Sequence, residues 1–107
     1  MATASKSEVL HLADMANYQD GSVVSRQITK AAAGNVTLFA FNKDQELSEH
    51  TAPFDALAHI LDGSAEIKIS GKAFRLETGD AIIMPANEPH ALKATSPFKM
   101  LLTMIRN

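Results

Sequence analysis

The chain has 107 residues, a formal net charge of −2 and a hydrophobic fraction of 46%, values that fit one small domain with a single core. Its Lys and Arg residues form no basic cluster, which argues against a nucleic-acid binder or an anionic-membrane binder. The sequence contains no cysteine, so disulfides, thiolate metal ligands and cysteine nucleophiles are excluded.

Residues 1–8, MATASKSE, are small and polar and predict a flexible tail. They contain no signal core, and no apolar run long enough to span a membrane follows, so we expect a cytoplasmic protein. Residues 9–107 are expected to form a single barrel domain. An apolar cluster around Leu10 and Leu12 is expected to dock on the outside of this domain, where His11 is structural or exposed to solvent.

From there the chain alternates between β-rich runs and turn residues at short intervals, the pattern of an all-β sandwich or barrel. Residues 22–30 alternate in polarity, and Gly34 and Asn35 predict a turn before the next strand at 36–41. A polar loop at 42–45 follows. No helix is required by this pattern.

Two later segments, 55–61 and 98–105, carry apolar residues at both strand parities. Such strands are covered on both faces, whereas a lone barrel covers only its interior. The second cover is expected to be the N-terminal arm or another subunit, and we predict a homodimer that packs outer strand faces together. The turn pair Asp62 and Gly63 is expected to end the first of these segments.

The segment TGDAIIMPANEPH, residues 78–90, holds the most specific pattern in the chain. Gly79 marks a turn, and residues 81–84 form a short apolar strand. Pro85 ends that strand because proline has no amide hydrogen to give to the ladder. His90 follows at the start of the next strand.

Together with His50 upstream, this segment resembles the two cupin motifs. Gly79, Pro85 and His90 fall on the glycine, proline and histidine of the second motif. Asn87 stands at its second glycine, a mild replacement because asparagine tolerates a positive φ. The resemblance implies an all-β cupin double-stranded β-helix, the jelly-roll barrel of the RmlC-like superfamily, of the small cupin 2 conserved barrel type.

The first cupin motif is incomplete in this chain. With Gly63 as its closing glycine, Ala52 and Ala56 stand where a second histidine and a glutamate are expected. Two imidazoles, His50 and His90, are fewer than the three or four protein ligands that a first-row ion normally has. The residues therefore favour a barrel that has lost its metal. If a divalent ion such as Zn, Ni, Fe or Mn binds, His50 and His90 are its candidate ligands.

Strand parity extends the candidate site beyond the motif. If His50, Ala52 and Ala56 face the barrel interior, as the resemblance requires, alternation turns Ala58 and Ile60 inward as well. His59 then points outward, where we expect a core or interface residue rather than a ligand. The ligand pocket is accordingly expected to be lined by His50, Ala52, Ala56, Ala58, Ile60, Met84 and His90.

Three carboxylates are close enough in sequence to complement the histidines. Glu49 and Asp55 have the wrong parity for the interior if the strands are regular, and Glu88 lies in a turn. No catalytic residue or carboxylate partner can therefore be assigned from the sequence.

Two classes of function follow from these residues. The first is a small-molecule-binding barrel with a degenerate metal site, in which alanines replace former ligands. The alternative is an enzyme, metal-dependent or metal-free, such as a dioxygenase, isomerase or lyase that uses His50 and His90. A third class, an interaction domain that recruits a partner through its outer sheet face, also remains open. The expected partners are a small molecule and a second copy of the chain, with no nucleic acid and no membrane.

Overall fold

Turn residues divide the chain into eight antiparallel strands in the computed structural model, which describes residues 3–106. A single 3-10 turn at Leu12–Asp14 precedes them. The strands are, in chain order, β1 Val23–Ala31, β2 Gly34–Phe41, β3 Glu46–His50, β4 Asp55–Ile69, β5 Lys72–Glu77, β6 Ala81–Met84, β7 His90–Lys93 and β8 Phe98–Ile105. The protein is all-β, as predicted. Within the described residues, no helix is long and apolar enough to cross a membrane.

The strands form two sheets that share β4. Residues 55–63 of β4 pair with β6 and β8, and β8 continues this first sheet through β2 to β1. Residues 64–69 pair with β5 and β7, and β7 continues the second sheet to β3. Two curled sheets joined along one long strand form the jelly-roll barrel that the motifs predict.

The turn predicted at Asp62 and Gly63 is wrong, because β4 runs through this pair. The register against β8 shifts between Ile60 and Asp62, which is a bulge. Gly63 has φ +77, and a Cβ there would collide with the carbonyl oxygen of Pro97. Glycine is therefore needed here for two reasons: β4 bends where it passes from one sheet to the other, and the neighbouring backbone at Pro97 leaves no room for a side chain.

The turn predicted at Gly34 and Asn35 is also displaced. The hairpin turn lies at Ala32 and Ala33, and Gly34 is already the first residue of β2. A Cβ at Gly34 would collide with the carbonyl oxygen of Met104 in the neighbouring strand β8. Glycine is thus required at this position by the close approach of β8. From the sequence alone, such a glycine cannot be told apart from one that marks a turn.

Inward-facing side chains of both sheets fill the barrel. Phe41 and Phe98 stack at its centre with ring centroids 4.5 Å apart, and alternation along β4 buries one side chain in two. The buried members of this core are Phe41, Ala56, Ala58, Ile60, Ala65, Ile67, Leu76, Met84, Leu92, Ala94, Phe98 and Met100.

The N-terminal arm, residues 3–22, covers part of the outer face of the first sheet. Its Leu10, Leu12 and Met15 pack with buried Leu38 and Ala40 in a second apolar cluster. This is one of the two covers that the sequence predicts. Met1 and Ala2 of the predicted flexible tail and Asn107 of the predicted domain lie outside the described residues.

Polar contacts fasten the arm to strands β4 and β8. The Tyr18 hydroxyl donates a hydrogen bond of 2.5 Å to Asp62, and the Lys99 ammonium donates to the carbonyl of Ala13. Lys99 also lies over the Tyr18 ring, 5.2 Å from its centroid. Burial and the bond to Asp62 raise the pKa of Tyr18 above its ordinary value, so the phenol remains a donor.

The arm leaves apolar side chains of the same outer face uncovered. Leu57, Ile83 and Ile105, here called the outer patch, are 39%, 61% and 57% exposed. Leu57 lies directly opposite Ile83 in the pairing of β4 with β6. His59 is on this outer face and half-buried, the orientation that strand parity predicts.

Candidate functional site

His50 and His90 meet at one end of the barrel, here called the mouth. They are directly opposite each other in the pairing of β3 with β7. Their ring centroids are 4.4 Å apart and the ring planes cross at 70°. The structure therefore brings together two histidines that are 40 positions apart in the sequence.

A bulge in β3 gives His50 its orientation. Leu47 lies opposite Leu92, and the next paired residue in β3 is His50, opposite His90. Three steps along β3 thus match two steps along β7, so His50 stays on the face of the inward-facing Leu47. The parity argument for Glu49 assumed a regular strand, and this assumption is wrong because Glu49 belongs to the bulge.

Each imidazole ring is held by the same type of hydrogen bond, from Nδ1 to a backbone carbonyl oxygen. Nδ1 of His50 is 2.8 Å from the carbonyl oxygen of Ser48, and Nδ1 of His90 is 3.3 Å from that of Glu88. A carbonyl oxygen can only accept, so Nδ1 carries the proton in both rings. In the neutral form each Nε2 is then an unprotonated acceptor.

Burial differs between the two histidines. His90 is 5% exposed and shares the face of Leu92, whereas His50 is exposed at the rim. Burial, and secondly the proximity of His50, lower the pKa of His90 below its ordinary value, against a smaller opposite effect of the Glu88 carbonyl. His90 is therefore neutral at physiological pH.

Two loops, residues 51–54 and 85–89, form the rim around the histidines. The amide of Asn87 donates to the carbonyl of Ala52 at 2.7 Å, and the amide of Ala86 donates to Oδ1 of Asp55 at 2.8 Å. Asn87 has φ 65, the left-handed conformation that the second motif requires at this position. These bonds tie the connection between β3 and β4 to the connection between β6 and β7.

The donor set does not fit a complete metal centre. Among residues 3–106, no group of three His, Cys, Asp or Glu side chains is placed to hold a metal ion. Ala52 and Ala56 offer only methyl groups, while Asp55 accepts from Ala86 and Glu88 accepts from the Ser70 hydroxyl. Two Nε2 atoms alone fall short of the usual ligand number.

The other predicted pocket residues lie deeper. Ala56, Ala58, Ile60 and Met84 belong to the packed barrel core, and Ala52 is half-buried in the rim. Of the seven predicted pocket residues, His50, Ala52 and His90 are thus the three that do not belong to this core.

A concave feature lies on the outer face of the second sheet, where we did not expect a site. This groove of about 310 Å³ is lined by Glu46, Leu47, Ser48, Glu49, Glu66, Lys68, Ala91, Leu92 and Lys93. Its lining carries charges of both signs. In the sequence, Glu66 and Lys68 simply alternate with apolar residues, as on any strand with one face in solvent, so nothing there predicts a groove.

Comparison with protein families and solved structures gives a consistent picture. A family model described as Cupin domain matches residues 37–105. A Streptococcus pyogenes structure, the conserved SPY1581 protein of unknown function, is 34% identical over 100% of this chain and 96% of its own, with a TM-score of 0.91. No curated protein matches the chain.

Two further solved structures show the same fold. A cupin 2 conserved barrel domain protein from Leptotrichia buccalis is 38% identical with a TM-score of 0.88, over 91% of this chain and 47% of that one. A cupin superfamily protein from Desulfitobacterium hafniense is 25% identical with a TM-score of 0.91, over 99% of this chain and 97% of that one. The present chain thus spans about half the length of the Leptotrichia protein and nearly all of the other two.

Proposed function

This chain belongs to the cupin domain family, and from that premise we propose that it is a small-molecule-binding barrel whose metal site is degenerate. The observation that carries the proposal is the histidine pair at the barrel mouth. Its rings are 4.4 Å apart and each is fixed through Nδ1. Fixed polar groups beside an apolar interior are typical of small-ligand sites.

The alanines at former ligand positions support binding over metal chemistry. Ala52 and Ala56 remove two donors from the pattern that the family uses, while the barrel and both loops of the rim are kept. A scaffold that retains its mouth but lacks two ligands still holds two oriented hydrogen-bonding atoms. Such fixed polar groups set the orientation of a bound small molecule.

A thermal-shift screen of small metabolites tests this function. A ligand at about 100 times its Kd should raise the melting temperature of the wild type by on the order of 10 °C. The His50→Ala/His90→Ala variant should not respond, whereas His11→Ala, at an exposed position in the arm, should respond like the wild type. A ligand that stabilises the double variant equally would contradict binding at the mouth.

A second candidate function, a metal-free isomerase or lyase, rests on His90. Its neutral imidazole is oriented by the Glu88 carbonyl and borders the mouth, the condition that a general base needs. The metal-dependent alternative, including a dioxygenase, lacks a third ligand among the described residues. Elemental analysis of protein purified without chelator or affinity tag separates these alternatives: near-stoichiometric Zn, Ni, Fe or Mn, lost in the double variant, would favour the metal enzyme.

We also propose that the chain forms a homodimer through the outer patch. An antiparallel sheet face that exposes Leu57, Ile83 and Ile105 to water is unfavourable for a monomer. In a two-fold dimer, a second copy would present the same three apolar side chains, so the two patches could cover each other. The cytoplasmic location expected from the sequence stays a prediction.

A further inference from the structure

We propose that the histidine pair selects ligands that donate hydrogen bonds, namely vicinal hydroxyl groups or a primary ammonium group, and rejects carboxylates. This inference rests on the proposed binding function and names the chemistry of its ligand. It follows from the shared geometry of the two rings.

The first argument is the tautomer of each ring. The carbonyl oxygens of Ser48 and Glu88 each accept from Nδ1, at 2.8 and 3.3 Å. The proton of each neutral imidazole is thereby used within the protein, and the distal Nε2 atoms of His50 and His90 present two lone pairs. Because the ring centroids are 4.4 Å apart, we infer that these two acceptors suit two donors on neighbouring atoms of a ligand.

The second argument is the lack of a donor for a carboxylate. A carboxylate oxygen can only accept a hydrogen bond. The Nδ1 proton of each ring is already donated to the carbonyl of Ser48 or Glu88, so neither neutral imidazole has a second N–H to offer such a ligand.

The third argument is the charge of the rim. Glu49 precedes His50 in β3, Glu88 lies in the rim loop 85–89, and Asp55 begins β4 directly after the rim loop 51–54. These three carboxylates contribute negative charge beside the histidines. An anionic ligand is disfavoured by this field, and a neutral or cationic donor is not.

Three ring compounds of equal size test the inference: cis-1,2-cyclohexanediol, cyclohexylammonium and cyclohexanecarboxylate. Long-range ¹H–¹⁵N NMR at pH 7.5 should first show protonated Nδ1 and unprotonated Nε2 in both His50 and His90. Titration with the diol or the ammonium compound should shift both Nε2 resonances in a saturable way. The carboxylate should bind at least roughly fivefold more weakly, the effect of one lost hydrogen bond.

Matched variants locate the effect. His50→Ala removes an exposed ring, and His90→Leu replaces the buried ring by a side chain of similar size without an acceptor. Each variant should bind the preferred probe roughly fivefold more weakly, and His11→Ala should not. Stronger binding of the diol identifies paired hydroxyls as the recognised group, and stronger binding of the ammonium compound identifies the rim carboxylates as contributors.

Several results would overturn the inference. An Nε2-protonated tautomer in either ring would do so, as would carboxylate binding equal to or tighter than both donors. The latter result, with shifts at both histidines, leaves the proposed binding function intact. Failure of all three compounds to shift the histidine resonances also refutes the donor preference, while the binding function itself is judged by the wider thermal-shift screen.

Discussion

Both imidazoles of the mouth are oriented by the backbone rather than by a carboxylate. Each ring donates to the carbonyl oxygen two residues before it, Ser48 for His50 and Glu88 for His90. A carbonyl fixes the tautomer without adding negative charge, so it stabilises an imidazolium less than an aspartate would. His90 is therefore suited to accept hydrogen bonds and is poorly suited to hold a positive charge.

Replacement of His90 should change how stability depends on pH. Its lowered pKa means that the unfolded chain binds a proton more readily than the folded chain. The resulting stability is present above the unfolded pKa of about 6.5 and is lost as pH falls through the lower folded value. Between pH 7.5 and 5.0, the wild type should lose more free energy of unfolding than His90→Gln.

Urea denaturation at the two pH values measures this difference. The His11→Ala variant provides the comparison, because His11 is exposed in the arm. Equal losses in the wild type and His90→Gln would mean that the folded protein accommodates a charged His90 without penalty.

Gly63 and Gly71 provide a matched test of strand packing. Their φ angles are similar, +77 and +83. A Cβ at Gly63 would collide with the Pro97 carbonyl, whereas one at Gly71 would extend into open space. Gly71→Ala should cost about 1–2 kcal/mol from backbone strain alone. Gly63→Ala should lower the free energy of unfolding by at least about 2 kcal/mol more, and similar losses for both variants would remove the packing argument.

At the level of strands, turn chemistry predicts ends well and bulges poorly. The strands at 81–84 and 98–105 have the predicted bounds, because Gly79, Pro85 and the apolar runs act locally. The bulge of β3 and the bend at Gly63 depend on partner strands that are distant in the sequence. A regular alternation carries no record of such a register shift.

The N-terminal arm is the element whose attachment can be tested most directly. Tyr18→Phe removes the hydrogen bond to Asp62 while keeping the ring under Lys99. We expect a loss of about 1 kcal/mol in the free energy of unfolding and faster hydrogen exchange at the arm amides of Asp14 and Met15. Ala substitution of the exposed neighbour Asn17 should leave both unchanged. Unchanged exchange in Tyr18→Phe would show that apolar packing alone holds the arm.

For the whole molecule, the sequence predicts the barrel and the meeting of His50 with His90 because the second cupin motif is nearly complete. The distance between the rings, their tautomers and the rim bonds of Ala52 and Asn87 could not be predicted. These features depend on contacts between segments that are distant in the sequence and that meet only in the folded barrel. The sequence likewise did not distinguish the arm from a second subunit as the cover of the outer face, because either supplies apolar side chains.

The predicted homodimer is tested by charging the outer patch. Ile83→Glu places a carboxylate on a side chain that is 61% exposed and opposite Leu57. If this face is the interface, the dimer Kd should rise at least about 100-fold, roughly 2.8 kcal/mol. Light scattering across protein concentration should then report a monomer. Val9→Glu, on an arm side chain that is 87% exposed, should keep the wild-type mass, and a monomeric wild type would contradict the proposal.

Strand β4 belongs to both sheets and pairs with β5, β6, β7 and β8. The two sheets therefore cannot separate without breaking hydrogen bonds to β4 in one of them. The barrel thus has no hinge between two independently stable halves. Opening without global unfolding is easiest for the arm and for the edge strands β1, β3, β5 and β6, each of which is held by a single ladder. A ligand of the proposed kind would therefore enter through movements of the rim loops or of edge strand β3, and not through separation of the two sheets.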